Sequence, residues 1–247
     1  KSQLGRMKVT LSKHGKIEDP WLVAALPDMG NVAGLVVGHL NQQLETQPIG
    51  EILSYPSQIT YRKGVLTEAR PYSFRASHKD RVVTFTGTDH PAYPAELHEL
   101  CEGVVDVAVK LGARRIFSVG ASFRGQVEEL PAVYGVVNRP ELLEELKRAG
   151  VAALTGEGAI TGFNGLILGV AKERGIDGIC LLGDIDDPIV PQPQTARAVL
   201  GMLRKLTGID MDADRLEEQL ETLKRPMDAR LQRFGFRPGE GRPPGIA

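Results

Sequence analysis

Pro20-Trp21-Leu22-Val23-Ala24-Ala25-Leu26-Pro27, followed by Asp28-Met29-Gly30-Asn31, is the stretch that decides the fold. The apolar run is short, has no polar face and is closed by proline at both ends. Those features read as a strand buried on both sides. After the turn, Val32, Leu35, Val36, Leu40 and Leu44 recur at helical spacing on one stripe. Gly30, Gly34 and Gly38 are expected to let this helix approach the sheet closely. The segment is therefore a strand–turn–helix unit.

The same unit recurs toward the C-terminus. Arg81–Gly87 reads as a strand, Thr88–Pro94 as its exit loop and Ala95–Leu111 as a helix with Leu97, Leu100, Val104, Val105, Ala108 and Leu111 inside. Arg115–Gly120 and Val133–Val137 are further strands, Pro140–Ala149 is a short helix, and Ala152–Leu154 is a short strand. Gly162–Arg174 is a helix that Gly175 stops. Gly178–Gly183 is the last central strand, and Ala196, Val199, Leu200, Leu203 and Leu206 mark a long helix. Residues 46–79 are less regular, with Ile49–Leu53 and Tyr61–Leu66 read as strands or a hairpin beside the main sheet. Strands alternating with helices imply a three-layer α/β/α fold around a mainly parallel central sheet. The expected organisation is a core domain over 1–210, a C-terminal helical extension over 211–236 carrying Leu216, Leu220 and Leu223, and a Pro/Gly-rich flexible tail over 237–247.

Composition narrows the function classes. Thirty basic residues nearly balance 31 acidic ones among 247, so there is no overall basic field of the kind nucleic acid requires. No stretch approaches a membrane span, and no apolar signal segment follows Lys1-Ser2-Gln3-Leu4. The two cysteines, Cys101 and Cys180, fall in a helix and a buried strand without metal or redox spacing, which fits a reducing compartment. A cytoplasmic protein with no nucleic-acid or membrane partner is the expectation.

Ligands of open α/β sheets bind outside the carboxyl ends of the strands. The loops that should reach that edge are Asp28–Asn31, Thr88-Asp89-His90, Ala121–Gly125 and Asp184–Asp187, with Gly156–Gly162 just ahead of a helix. A candidate pocket collects Asp28, Asn31, Asp89, His90, Glu157, Thr161 and Asn164. Chemistry there is weakly signalled. Gly162 is followed by Phe163-Asn164-Gly165, whereas a phosphate loop needs Lys and Ser or Thr. A tight turn with Thr161 or Asn164 bonded to backbone explains the glycines as well. Ser122 lacks the glycine spacing of a nucleophile elbow. Asp89 and His90 could form an acid–base pair, but adjacent residues rarely face one site, and His90 before Pro91 fits an extended loop. Asp184, Asp186 and Asp187 could hold a hard cation or simply cap and solvate a loop. His14, His39, His78 and His98 show no metal spacing. No catalytic residue, metal or cofactor is assigned.

The run Gly158-Ala159-Ile160-Thr161-Gly162-Phe163-Asn164-Gly165-Leu166-Ile167-Leu168-Gly169, with Gly175-Ile176-Asp177-Gly178-Ile179-Cys180-Leu181-Leu182-Gly183, resembles the proteasome assembly chaperone 2 family in its archaeal and bacterial branch. Pro27–Gly34 and Ser118-Val119-Gly120 support the resemblance, which covers roughly residues 17–225. It implies a fold similar to purine nucleoside phosphorylases without their active-site set, self-association into small rings, and chaperone-like binding of proteasome subunits or another protein complex. Some members dock through a C-terminal hydrophobic–Tyr–any tripeptide, and this sequence departs from it with Gly245-Ile246-Ala247. Members often carry an ATP-grasp label, for which no motif is present here. The expected function is thus a homo-oligomeric protein-binding scaffold or assembly chaperone. The alternative is an enzyme of nucleoside-phosphorylase-like or hydrolase type. The C-terminal helices and the outer side of the Gly30–Leu44 helix are the expected interface.

Overall fold

A computed structural model of the chain describes residues 7–12, 16–53, 60–67, 72–126, 130–213 and 216. The expected helical extension beyond residue 213, residue 216 apart, and the tail at 237–247 lie outside the described residues. All described strands and helices fall within one compact unit, Lys1–Ala213.

The decisive run forms β2 (Trp21–Ala24), every residue of which is buried. Burial on both faces follows from its place inside the sheet, where it pairs in parallel with β7 (Val82–Gly87) on one side and β8 (Arg115–Phe123) on the other. Beyond β8 lies β11 (Gly178–Ile185), again parallel and wholly buried. These four strands are the parallel centre that the sequence pattern predicts.

The expectation of a mainly parallel sheet needs correcting, because the sheet is mixed. β1 (Lys8–Leu11), β3 (Gln47–Leu53) and β6 (Tyr72–Ser77) build an antiparallel arm that joins β7, and β9 (Val133–Val137) runs antiparallel to β11 before pairing in parallel with β10 (Ala152–Ala153). Four of the eight ladders, holding slightly more than half of the paired residues, are antiparallel. For β7 and β9 the cause lies in the connections. A parallel neighbour needs a crossover of a dozen or more residues. β6 and β7 are joined by the tight turn at 78–81, and the link from β8 to β9 spans only 124–132. The order across the sheet is β1-β3-β6-β7-β2-β8-β11-β9-β10. A separate hairpin pairs β4 (Thr60–Arg62) with β5 (Val65–Thr67), as the pattern at Tyr61–Leu66 suggests.

Helices cover both faces. Along β11, Cys180 and Leu182 pack on Leu168 of α4 (Phe163–Glu173), while a side chain at Gly183 would meet Thr195 and Val199 of α5 (Pro193–Thr207). Alternate residues of a strand point to opposite faces, so α4 and α5 lie on opposite sides. α2 (Pro94–Leu111) packs beside α4, and α1 (Val32–Gln43) and α3 (Leu143–Ala149) pack beside α5. The larger core sits between the sheet and α2 with α4, where Leu22, Phe74, Phe85, Leu100, Val104, Ile116, Phe163 and Ile167 are buried together. Phe85 anchors it, with ring centroids 4.9 Å from Phe74 and 5.7 Å from Phe163. Gly175 ends α4 in the left-handed region as expected, at φ 76°.

The glycines of α1 differ from expectation. A side chain at Gly38 would meet nothing, and one at Gly34 would strike the Asn31 carboxamide, 2.2 Å away, instead of the sheet. Gly34 therefore makes room for Asn31, which folds back over the first turn. α1 also offers little outer surface. Val32, Ala33, Leu35, Val36, Val37, His39 and Leu40 are all buried, and His39 bonds to the carbonyl of Asp212. Its exposed positions, Gly38 and Gln42, are not apolar, which removes it as an interface candidate.

Candidate functional site

The exit loops of β2, β7, β8 and β11 meet at one edge of the sheet because these four strands run side by side in parallel. The β2 loop turns at Gly30 (φ 62°) and Asn31 (φ 50°) into α1. The Gly30 N–H donates to the carbonyl of Pro188, and the Gln192 N–H donates to the carbonyl of Gly30, both at 2.8 Å. A Cβ at Gly30 would lie 2.6 Å from the Gln192 side chain, so glycine is needed both for the turn and for the close approach. The loops after β2 and β11 are thereby one clamped body.

Asp28 stands at the start of this turn. Its Oδ1 accepts from the Ala33 N–H at 2.9 Å, capping α1, while Oδ2 is buried without a hydrogen-bond partner. Burial pushes its carboxyl up to about 7, against the smaller opposing effects of backbone amides at Ala33, Asp28 and Ala121. His90 reaches the same strip of chain, with Nε2 bonded to the carbonyl of Pro27. A carbonyl only accepts, so Nε2 carries the proton.

The other expected pocket residues divide. Asn31 is exposed, with its side chain over Gly34. Asp89 is exposed, and among the described residues no hydrogen bond joins it to His90. Its charge adds to the effect of burial in raising the Tyr72 phenol to about 12. Glu157 and Thr161 are exposed on the loop ahead of α4. Asn164 turns inward instead. Its Nδ2 stands 2.3 Å from where a Cβ of Gly120 would be, its carbonyl accepts from Ser118 Oγ at 3.1 Å, and its Oδ1 is buried without a partner. The structure thus brings Asp28 and His90 to one strip of main chain, and leaves Glu157 and Thr161 in solvent.

The acidic run that the sequence places in a loop begins inside β11 at Asp184 and is occupied by its own contacts. Asp184 pairs with Arg124, whose guanidinium lies 5.6 Å from the centre of the Tyr134 ring. Asp187 Oδ1 accepts from the amides of Ile189 and Val190, which lowers its pKa, and Asp186 accepts from Gln192. Among the described residues no group of three or more His, Cys, Asp or Glu could hold a metal ion.

The feature that sequence reasoning missed is apolar. Met29, Tyr93, Leu130, Ile189 and Val190 on the loops of this edge, and Phe123 at the end of β8, are exposed, with Leu130 at 83% and Ile189 at 82% of full exposure. The Gly30–Pro188 bond sets the loop of Met29 beside that of Ile189. Scattered exposed hydrophobics are ordinary, but several at one edge mark a surface for another protein. A hydrophobic residue inside a loop that should be polar was the available signal, strongest at Ile189-Val190.

An α/β sheet that presents apolar side chains where its strands end has the surface of a protein-binding module. A family model described as the PAC2 family matches residues 22–230, and the chain belongs to that family. The resemblance read from Gly158–Gly183 thus extends over most of the chain. The chain is 28% identical over 211 residues to the uncharacterized protein MJ1210 of Methanocaldococcus jannaschii, covering 84% of this chain and 81% of that one. Among solved structures it is similar to Pyrococcus furiosus PbaB, an archaeal proteasome activator, with 26% identity and a TM-score of 0.76 over 91% of this chain and 98% of that one. PbaA of the same organism, an archaeal homolog of proteasome-assembly chaperone, shares the fold at a TM-score of 0.75 and 23% identity, over 92% and 96% of the two chains. Among the described residues no helix is long and apolar enough to cross a membrane.

Proposed function

We propose that the chain is a protein-binding scaffold or assembly chaperone that works as a homo-oligomer in the cytoplasm, with proteasome subunits or another protein complex as its partner. The apolar rim at the strand ends carries this reading, because Leu130 and Ile189 expose large side chains that water disfavours and a protein partner would cover. Family membership and the likeness to PbaB, described as a proteasome activator, supply the class of partner. Two buried free thiols agree with a reducing compartment. The likeness to nucleoside phosphorylases belongs to the same proposal, supported by helices on both faces of a sheet with four parallel central strands.

The test is light scattering across a concentration series, together with capture of proteasome subunits, for the wild type and Ile189→Asp. A wild type larger than a monomer, with subunit capture weakened by the substitution, is the expected result. A monomer at every concentration that captures no proteasome subunit or other complex would refute the reading.

A further inference from the structure

The sheet ends in a gap on the β10 side. β10 has two residues and covers the outer edge of β9 only at Tyr134 and Gly135, with the Leu154 N–H to the Gly135 carbonyl as the last rung, at 3.1 Å. Val136 and Val137 lie past that rung with no strand beside them among the described residues. The direction of the free groups follows from the pairing on the other side. Asn138 N–H donates to Gly178 and Ala132 C=O accepts from Asp184, so even-numbered residues of β9 spend their main-chain groups on β11. Backbone groups alternate along an antiparallel ladder. The N–H and C=O of Val137 therefore point outward, into the gap.

A cleft of about 360 Å³ lies there, lined by Val136, Val137, Arg139, Leu143, Leu154 and Lys172, among others. Leu143 and Leu154 are exposed apolar side chains at its wall. Its charge is cationic. Lys172, exposed, and Arg139 are its charged lining residues. Arg139 leans on Asp177, with Nε 3.3 Å from Oδ1 but off the angle a hydrogen bond needs. Asn138, the polar side chain at the cleft floor, is already spent on the carbonyls of Leu168 and Ile176 and the amide of Gly178.

We propose that this edge of β9 takes up an extended peptide segment of a partner protein, apolar in alternate positions and bearing a carboxylate. The segment adds a strand beside Val137, places alternate side chains against Leu143 and Leu154, and sets its carboxylate at Lys172. Strand addition to an open edge draws affinity from main-chain bonds and selectivity from the pockets beside them. Lys172, on α4 beside that edge, favours an acidic segment over a basic one. This surface lies at the start of β11, opposite the loops of the apolar rim, so the proposal does not draw on that rim.

The probe is an acetylated, fluorescein-labelled heptapeptide that alternates valine and threonine around a central glutamate. Versions carry glutamine or lysine at the centre, or N-methyl groups at alternate amides. Binding to the full chain is read by fluorescence polarisation, and the Val137 amide by hydrogen exchange. The glutamate peptide is expected to bind about tenfold more tightly than the lysine peptide, to slow Val137 exchange, and to lose binding on N-methylation. Lys172→Glu, an exposed helical position that leaves the fold intact by circular dichroism, should reverse the preference. Equal binding of the charged versions, no binding of any, an unchanged preference in Lys172→Glu, or an unprotected Val137 amide would each overturn the proposal.

Discussion

Asp28→Asn should abolish a pH dependence of stability that the wild type carries. The folded carboxyl keeps its proton up to about 7 because burial disfavours the anion. In the unfolded chain it ionises near the ordinary aspartate value of about 4. Between those values the native state holds a proton that the unfolded state has released, so stability falls as pH rises. The contribution is complete below the unfolded value and gone once pH passes the folded one. Each unit is worth about 1.4 kcal/mol, so going from about pH 5 to about pH 8 costs the wild type about 2–3 kcal/mol at full burial. Asp28 is only partly buried, which lowers the expectation to about 2 kcal/mol. Asparagine keeps an oxygen for the Ala33 amide, so the cap survives, but it cannot ionise. Urea unfolding of both proteins at the two pH values, extrapolated to water, isolates the effect as the change in their difference. A difference that stays constant within about 0.5 kcal/mol would refute the assignment of a raised carboxyl to Asp28.

Two glycines of the α4 region should respond in opposite directions. A Cβ at Gly165 would stand 2.0 Å from the main-chain oxygen of Ile160, so Gly165→Ala should cost about 2 kcal/mol or more in thermal or urea unfolding. Gly169 has open space and lies inside the helix, so Gly169→Ala should stabilise by about 0.5–1 kcal/mol. Cys101 and Cys180 are wholly buried, and burial pushes both thiols up to about 12. An aromatic disulfide reagent should therefore label them only as fast as the protein opens, and fast labelling in native buffer would contradict their placement.

The centre of the fold was legible because its signals are local. The proline-bounded run at β2 and the five-residue stripe of α5 each carry their own burial pattern, and every one of those stripe residues is buried. Strand direction carries no such pattern. Period two says that Val133–Val137 is extended, while its antiparallel course is set by the short link from β8. β1 was missed because it is short and the apolar positions in it and just before it, Met7, Val9 and Leu11, are only partly covered, so the alternation is a weak signal. β6 alternates plainly, with Tyr72, Phe74 and Ala76 buried, but it falls inside the less regular residues 46–79 and is not singled out from them in the sequence reading. At the candidate site, loop positions such as Asp28 could be named, but Met29, Tyr93, Phe123, Leu130 and Ile189 are far apart in sequence. Only the strand order gathers them.

The paired main-chain bonds at Gly30 tie the insertion tolerance of two distant segments together. A residue added to the turn after β2 would displace the carbonyl that Gln192 needs, and one added before Pro188 would pull away the acceptor of Gly30. Relatives with altered rims should therefore vary the β7 and β8 exits freely, while the β2 and β11 exits keep their lengths or change them jointly.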